Sequence, residues 1–146
     1  MSEEKSGSVQ GECLCGGVRY QVDRIGSRMA HCHCSMCRKF HGAAYATFGE
    51  AKREAFCWLQ GETLLQSYRA PNGTLRTFCS RCGSSLTFAP ANDNGELVQF
   101  SLGTLVDPPP SLSPDAHIFV GSRAPWDRIT DGLPCYREGR DSPRID

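Results

Sequence analysis

No run in this 146-residue chain approaches the about 18 consecutive apolar residues of a membrane-spanning helix. There is no surplus of either charge: 16 Lys and Arg stand against 16 Asp and Glu, and the sequence pI is about 6.9. That leaves no electrostatic footprint for nucleic acid or for an anionic membrane surface, so neither is expected as a partner. The opening stretch MSEEKSGS has no apolar core and does not read as a secretory signal. Helical periodicity is scarce. The best candidate, Ser35 to Phe40 with Ser35 as N-cap, is barely longer than one turn. No internal repeat stands out beyond a recurrence of cysteine pairs.

What is present is a texture of short strands. GVRYQV alternates, with Val18, Tyr20 and Val22 on one face. Further strand candidates are AYATF at 44–48, FCWLQ at 56–60, TLLQSY at 63–68, LRTFC at 75–79, SSLTFA at 84–89, ELVQFSL at 96–102 and HIFV at 117–120. Turn signals separate them, among them Gly61, the PNG at 71–73, Gly83 and the NDNG at 92–95. The PNG reads as a hairpin connection. DPPPSLSP, from Asp107 to Pro114, reads as a stiff extended linker. The expectation is a mainly β chain with long loops: a disordered tail over 1–8, a single domain over 9–136 and a polar tail over 137–146.

Nine cysteines are many for a chain with no export signal. An odd count without a signal peptide fits a disulfide framework poorly, so reduced thiols, a cytoplasmic location and metal binding are expected. The spacing supports metal. Cys13 and Cys15 form C-x-C, and Cys79 and Cys82 form C-x-x-C followed by Gly83. In an extended segment, residues two apart share a side, so both sulfurs of C-x-C reach one ion. Together the pairs supply four thiolates, a closed structural zinc site that ties the N-terminal segment to the middle of the chain. A redox C-x-x-C would open a helix in a βαβ context, which is missing here.

That leaves Cys32, Cys34 and Cys37 in HCHCSMCRKFHG. Three protein ligands with an open fourth position is the pattern of a catalytic zinc. Zinc with three thiolates carries net negative charge, so it polarises carbonyls poorly and is suited to holding a sulfur nucleophile at neutral pH. Two alternatives stay open. His31, His33 or His41 closes the site as a structural zinc, or the seven clustered cysteines share the ions differently. His31 and His33 alternate with the cysteines and face away from them, whereas His41 lies beyond the helical turn and is the better-placed ligand. Cys57 reads as a core residue, Cys135 as incidental, His117 as a packed histidine, and Trp58 and Trp126 as packing residues. Arg38, Lys39, Arg69, Arg76 and Arg81 read mostly as a solvated face. One or two of them could hold substrate carboxylates.

GECLCGGVRYQV, HCHCSMCRKFHGAAYATF and FCSRCGSSLTF, with the later HIFVGSRAPWDRITDGLPCY, resemble the glutathione-dependent formaldehyde-activating enzyme (Gfa/CENP-V) family. The likeness runs from about Gly11 to Tyr136. It implies a β-tent (Mss4-like) fold of sheets around zinc. It implies that Cys13, Cys15, Cys79 and Cys82 hold a structural zinc, and that Cys32, Cys34 and Cys37 are the catalytic-site ligands. The activity implied is that of a carbon–sulfur lyase that reversibly joins glutathione, or another thiol, to formaldehyde. On that reading His33 or His41 gives the proton to the developing alkoxide. The competing expectation is a non-catalytic zinc module of the same fold that binds a protein partner. A methionine sulfoxide reductase of related fold would need a catalytic cysteine outside the metal sites, where only Cys57 and Cys135 remain.

Overall fold

The computed structural model describes residues 4–5 and 7–145; the first part of the expected N-terminal tail (1–3 and 6) and residue 146 lie outside the described residues. In chain order the strands are β1 (Glu4–Lys5), β2 (Val9–Glu12), β3 (Arg19–Val22), β4 (Ile25–Gly26), β5 (Ala30–Cys32), β6 (Ala46–Lys52), β7 (Phe56–Gln60), β8 (Leu65–Arg69), β9 (Leu75–Cys79), β10 (Ser85–Ala89), β11 (Leu97–Ser101), β12 (Leu105–Val106) and β13 (Ala116–Ile118). One α-helix, α1 (Ser35–His41), lies between β5 and β6 among the described residues. The chain is mainly β, as its alternating short segments require. No described helix is long and apolar enough to cross a membrane. The residues group into two compact units, Met1–Ser27 with Gly49–Leu112, and Arg28–Phe48 with Ser113–Asp146.

The first unit holds an antiparallel sheet in the order β12-β2-β3-β7 and an antiparallel run β11-β10-β9-β8. Val18, Tyr20 and Val22 are all buried, as their alternation predicts. Tyr20 stacks on Phe56 with ring centroids 5.1 Å apart and meets Trp58 and Phe100 at 5.9 Å. Its hydroxyl lies 2.6 Å from Thr104 Oγ1, so the buried phenol has a partner. The PNG joins β8 to β9, with Ala70 N–H donating to the Thr74 carbonyl at 2.8 Å and Gly73 in the left-handed region at φ 96°.

Two expectations fail in this unit. Cys57 is exposed, because β7 turns Phe56 and Trp58 toward Tyr20 and alternation sends Cys57 outward. Arg76 is only 4% exposed; its guanidinium carbon lies 5.8 Å from the centroid of the Phe88 ring. Apolar flanks let a long cationic side chain pack inside the sheet.

In the second unit β13 runs parallel to β5, and β5 runs antiparallel to the start of β6. The parallel register sets His117 beside His31 and Ile118 beside Cys32. The helix runs one residue further than expected, and its N-cap is Cys34, not Ser35: the Cys34 sulfur accepts the Cys37 N–H at 3.2 Å. Gly42 closes it in the left-handed region at φ 61°. Trp126, expected to pack, is 69% exposed. Residues 137–145 fold back, with Arg137 N–H donating to Pro143 and Ile145 N–H to Cys135.

Candidate metal centres

The first unit brings Cys13, Cys15, Cys79 and Cys82 together, with every sulfur within 4.8 Å of the others. Cys13 Sγ lies 3.6 Å from Cys15 Sγ, and Cys15 Sγ lies 3.9 Å from Cys79 Sγ. These spacings far exceed the about 2.05 Å of a disulfide. They match the roughly 3.8 Å between sulfurs held tetrahedrally at ~2.3 Å from one ion. The loops are built for it. Gly16 and Gly83 take φ of 77° and 83°, letting their N–H groups bond back to the Cys13 and Cys79 carbonyls at 2.9 and 2.7 Å. Val18 N–H donates to Cys13 Sγ at 3.2 Å.

Neighbouring groups stabilise thiolates here. Arg81 Nε donates to Cys15 Sγ at 3.4 Å, and this bond leads the causes that lower the Cys15 thiol. Ser84 Oγ lies 3.3 Å from Cys82 Sγ and, as the largest cause, holds that thiol down at about 5. Burial pushes Cys13 the other way, to about 11. Leu14 N–H donates to Ser84 Oγ at 2.8 Å, so one hydroxyl ties the two cysteine pairs together.

The second unit brings Cys32, Cys34 and Cys37 together under the same 4.8 Å limit, and among the described residues no fourth ligand side chain joins that group. Cys37 Sγ and Cys32 Sγ are 3.4 Å apart. Cys32 and Cys37 are buried and Cys34 is half-buried. The Cys32 thiol is pushed far up, first by its hydrogen bonds to Cys34 and Cys37 and then by burial. Crowded sulfurs in a dry site hold their protons unless a cation displaces them. Both donor sets therefore fit a thiophilic metal ion.

His31 and His33 do not join the thiolates. Each sits one residue away from Cys32 and takes the opposite side of the extended strand. His33 is fully buried, and its Nε2 lies 2.8 Å from His117 Nδ1. Burial holds His33 down at about 4, so its ring is neutral. His117 Nε2 lies 2.9 Å from Asp131 Oδ2, and His31 Nδ1 lies 2.8 Å from Thr47 Oγ1. Tyr45 caps the group, its ring 4.6 Å from His31 and 4.9 Å from His33. His41, at the end of α1, packs its ring against Phe40 and Phe48. Sequence reasoning did not find Tyr45, Asp127, Asp131 or Ser84. His31, His33 and His117 were read singly, and their grouping shows once the β5–β13 register is known.

A profile of the glutathione-dependent formaldehyde-activating enzyme family matches residues 8–122, a span that includes all seven clustered cysteines. An uncharacterized lyase of Schizosaccharomyces pombe is 24% identical over 83 residues, which are 57% of this chain. The chain spans 58% of the length of that curated relative. Among solved structures, the crystal structure of a Rhodobacter sphaeroides protein from structural genomics superposes with a TM-score of 0.58 at 23% identity, covering 69% of this chain and 91% of that one. That likeness is one of fold.

Proposed function

The chain belongs to the glutathione-dependent formaldehyde-activating enzyme family, and from that premise we propose that it is a zinc-dependent carbon–sulfur lyase acting on a thiol adduct, with glutathione as the thiol. The observation that carries this reading is the group of three sulfurs, Cys32, Cys34 and Cys37, without a fourth protein ligand among the described residues. Zinc held there would supply a soft, electron-rich centre that favours the thiolate form of a substrate sulfur. In the synthetic direction the substrate sulfur bonds to the formaldehyde carbon. The carbonyl π pair moves to oxygen, and that oxygen takes up a proton. The lyase direction reverses each step. In this reading Cys13, Cys15, Cys79 and Cys82 hold a second, structural zinc.

The chain's own residues have separable tasks. Cys34 is the half-buried member of its group and marks the side from which a thiol reaches it. Its sulfur is oriented by the Cys37 N–H. His41 stands four residues after Cys37 on α1 and so shares its helical face, which suits it to deliver the proton. His33 lies buried on the far side of the strand, bonded to His117, which leaves the proton to His41. Arg38 follows Cys37 and has a buried Nε without a protein partner, a donor available to a carboxylate of the thiol. The test is NMR exchange between glutathione and its formaldehyde adduct, with zinc-loaded protein and a Cys34→Ser control. Faster exchange with the parent alone supports the reading. No acceleration, with both proteins folded, removes this substrate pair and leaves a binding module.

A further inference from the structure

The histidine group on the other side of β5 presents a problem of its own. Four side chains form a line: Asp127, His33, His117 and Asp131. Its gaps are 3.9 Å from Asp127 Oδ2 to His33 Nδ1, 2.8 Å from His33 Nε2 to His117 Nδ1, and 2.9 Å from His117 Nε2 to Asp131 Oδ2. Each of the three gaps needs one hydrogen. With one N–H on each imidazole, one gap goes without. In this structure it is the long one: His33 Nδ1 and Asp127 Oδ2 are both buried with no hydrogen-bond partner. Two buried groups left in that state are costly, and native structures seldom keep them without a reason.

A cation at the opposite end removes the deficit. With a metal between His117 Nε2 and Asp131 Oδ2, the His117 hydrogen moves to Nδ1 and donates to His33 Nε2. The His33 hydrogen moves to Nδ1 and faces Asp127 Oδ2, which donates nothing and accepts it once the 3.9 Å gap closes to hydrogen-bond length. Both hydrogens shift one gap toward Asp127, none is lost, and every gap is filled. A further ligand is already oriented. His31 gives its Nδ1 to Thr47 Oγ1 at 2.8 Å, which leaves Nε2 free. Ligand atoms of His31, His117 and Asp131 all lie within 4.8 Å of one another.

We propose that His31, His117 and Asp131 form a divalent-metal site distinct from both thiolate clusters, with Asp127 and His33 as its outer partners. Two imidazole nitrogens and a carboxylate oxygen suit Zn²⁺ and the first-row divalent ions that share its ligands. In both histidines the ring nitrogen away from the ion is bonded to a polar partner, the arrangement that fixes the tautomer of metal-ligating imidazoles. The 2.9 Å between His117 Nε2 and Asp131 Oδ2 needs to open only slightly to reach the roughly 3.4 Å between ligands held tetrahedrally at ~2.1 Å. Asp131 is exposed, so solvent or a small ligand reaches the open coordination position.

The site does not depend on the lyase reading, and its test does not use activity. Protein carrying two equivalents of zinc, enough for the two thiolate clusters alone, is titrated with Co²⁺. The expected result is one further equivalent, with weak visible bands, no sulfur-to-cobalt charge transfer and paramagnetic shifts of imidazole protons. His31→Ala and Asp131→Asn each lose that equivalent; Asp131 lies at the surface, so its variant keeps the fold. Asp127→Asn weakens binding by about 10–100-fold, as loss of an outer partner does. The proposal is overturned if the further equivalent never appears, if it persists in both His31→Ala and Asp131→Asn, or if its spectrum carries sulfur charge transfer.

Discussion

The two cysteine clusters use one ligand chemistry on two kinds of chain geometry. The four-cysteine cluster draws its pairs from segments 64 residues apart, at Cys15 and Cys79. The three-cysteine cluster comes from a single strand–turn–helix stretch, Cys32 to Cys37. Closing a long loop restrains the unfolded chain, whereas closing a loop of five residues restrains little. Exposure does not separate the clusters as their roles would suggest. Cys15 of the four-cysteine group is exposed, while Cys32 and Cys37 of the three-cysteine group are buried. An open coordination position is a matter of ligand count, and a surface site with four sulfurs is still closed.

The largest effect follows from the long loop. Cys82→Ser should lose the metal and the fold of the first unit together. Apparent structural-zinc binding energies are ~10–16 kcal/mol, as large as the about 5–15 kcal/mol stability of a whole domain. Thermal unfolding followed by circular dichroism, with metal content measured in parallel, checks this. A folded Cys82→Ser protein that still carries its metal would erase the distinction between clamp and reaction site. Cys34→Ser should do the opposite. The fold survives, and exchange of the thiol adduct falls by more than the roughly 100-fold that loss of an outer metal partner costs. If Cys34→Ser unfolds as Cys82→Ser does, the two clusters have the same task.

Both clusters were legible in the sequence because spacing carries them. C-x-C pairs on extended chain and C-x-x-C before a glycine leave the sulfurs few other places to go, and the structure gathers the same seven cysteines. The strands were legible where an aromatic-rich run stands between turn signals, as in β7 and β9, whose bounds match the expectation. β2 and β5 were not found. Their residues, VQGE and AHC, are short and mixed in character, and pairing holds them: β2 with β3 and β12, β5 with β6 and β13. The histidine group was invisible for the same reason. His31 and His117 are 86 positions apart in sequence and become neighbours through a parallel pairing of three residues. The misreading of Cys57 has another source: an apolar run was taken as buried throughout, though a strand in an antiparallel sheet buries one face.

Acid should separate the clusters next. A thiol must lose its proton to bind metal, so a thiol that holds its proton tightly releases metal at a higher pH. Hydrogen bonds with Cys34 and Cys37, and then burial, push Cys32 far up. Ser84 holds Cys82 at about 5, and Arg81 lowers Cys15, against a single raised member, Cys13 at about 11. As pH falls, the three-cysteine cluster should therefore empty first. Cobalt-substituted protein titrated with acid would show two sulfur charge-transfer losses, the first absent in Cys34→Ser. A single loss, or the reverse order, would mean that local proton affinity does not distinguish the clusters.

The smallest effect tests what each protein environment adds to sulfur. In the four-cysteine cluster Ser84 Oγ lies 3.3 Å from Cys82 Sγ and accepts the Leu14 N–H at 2.8 Å. In the three-cysteine cluster the Cys34 sulfur is held by a backbone group, the Cys37 N–H, which no side-chain substitution removes. Ser84→Ala takes away an outer partner without touching a ligand. Metal affinity at the four-cysteine cluster should fall by about 10–100-fold, and its acid release should move to higher pH because Cys82 rises. Release from the three-cysteine cluster should not move. Competition with a chromophoric chelator reads both affinities in one titration. If Ser84→Ala left the first affinity unchanged, the low proton affinity of Cys82 would come from its loop and metal alone, and the clusters would differ in chain geometry without differing in side-chain support.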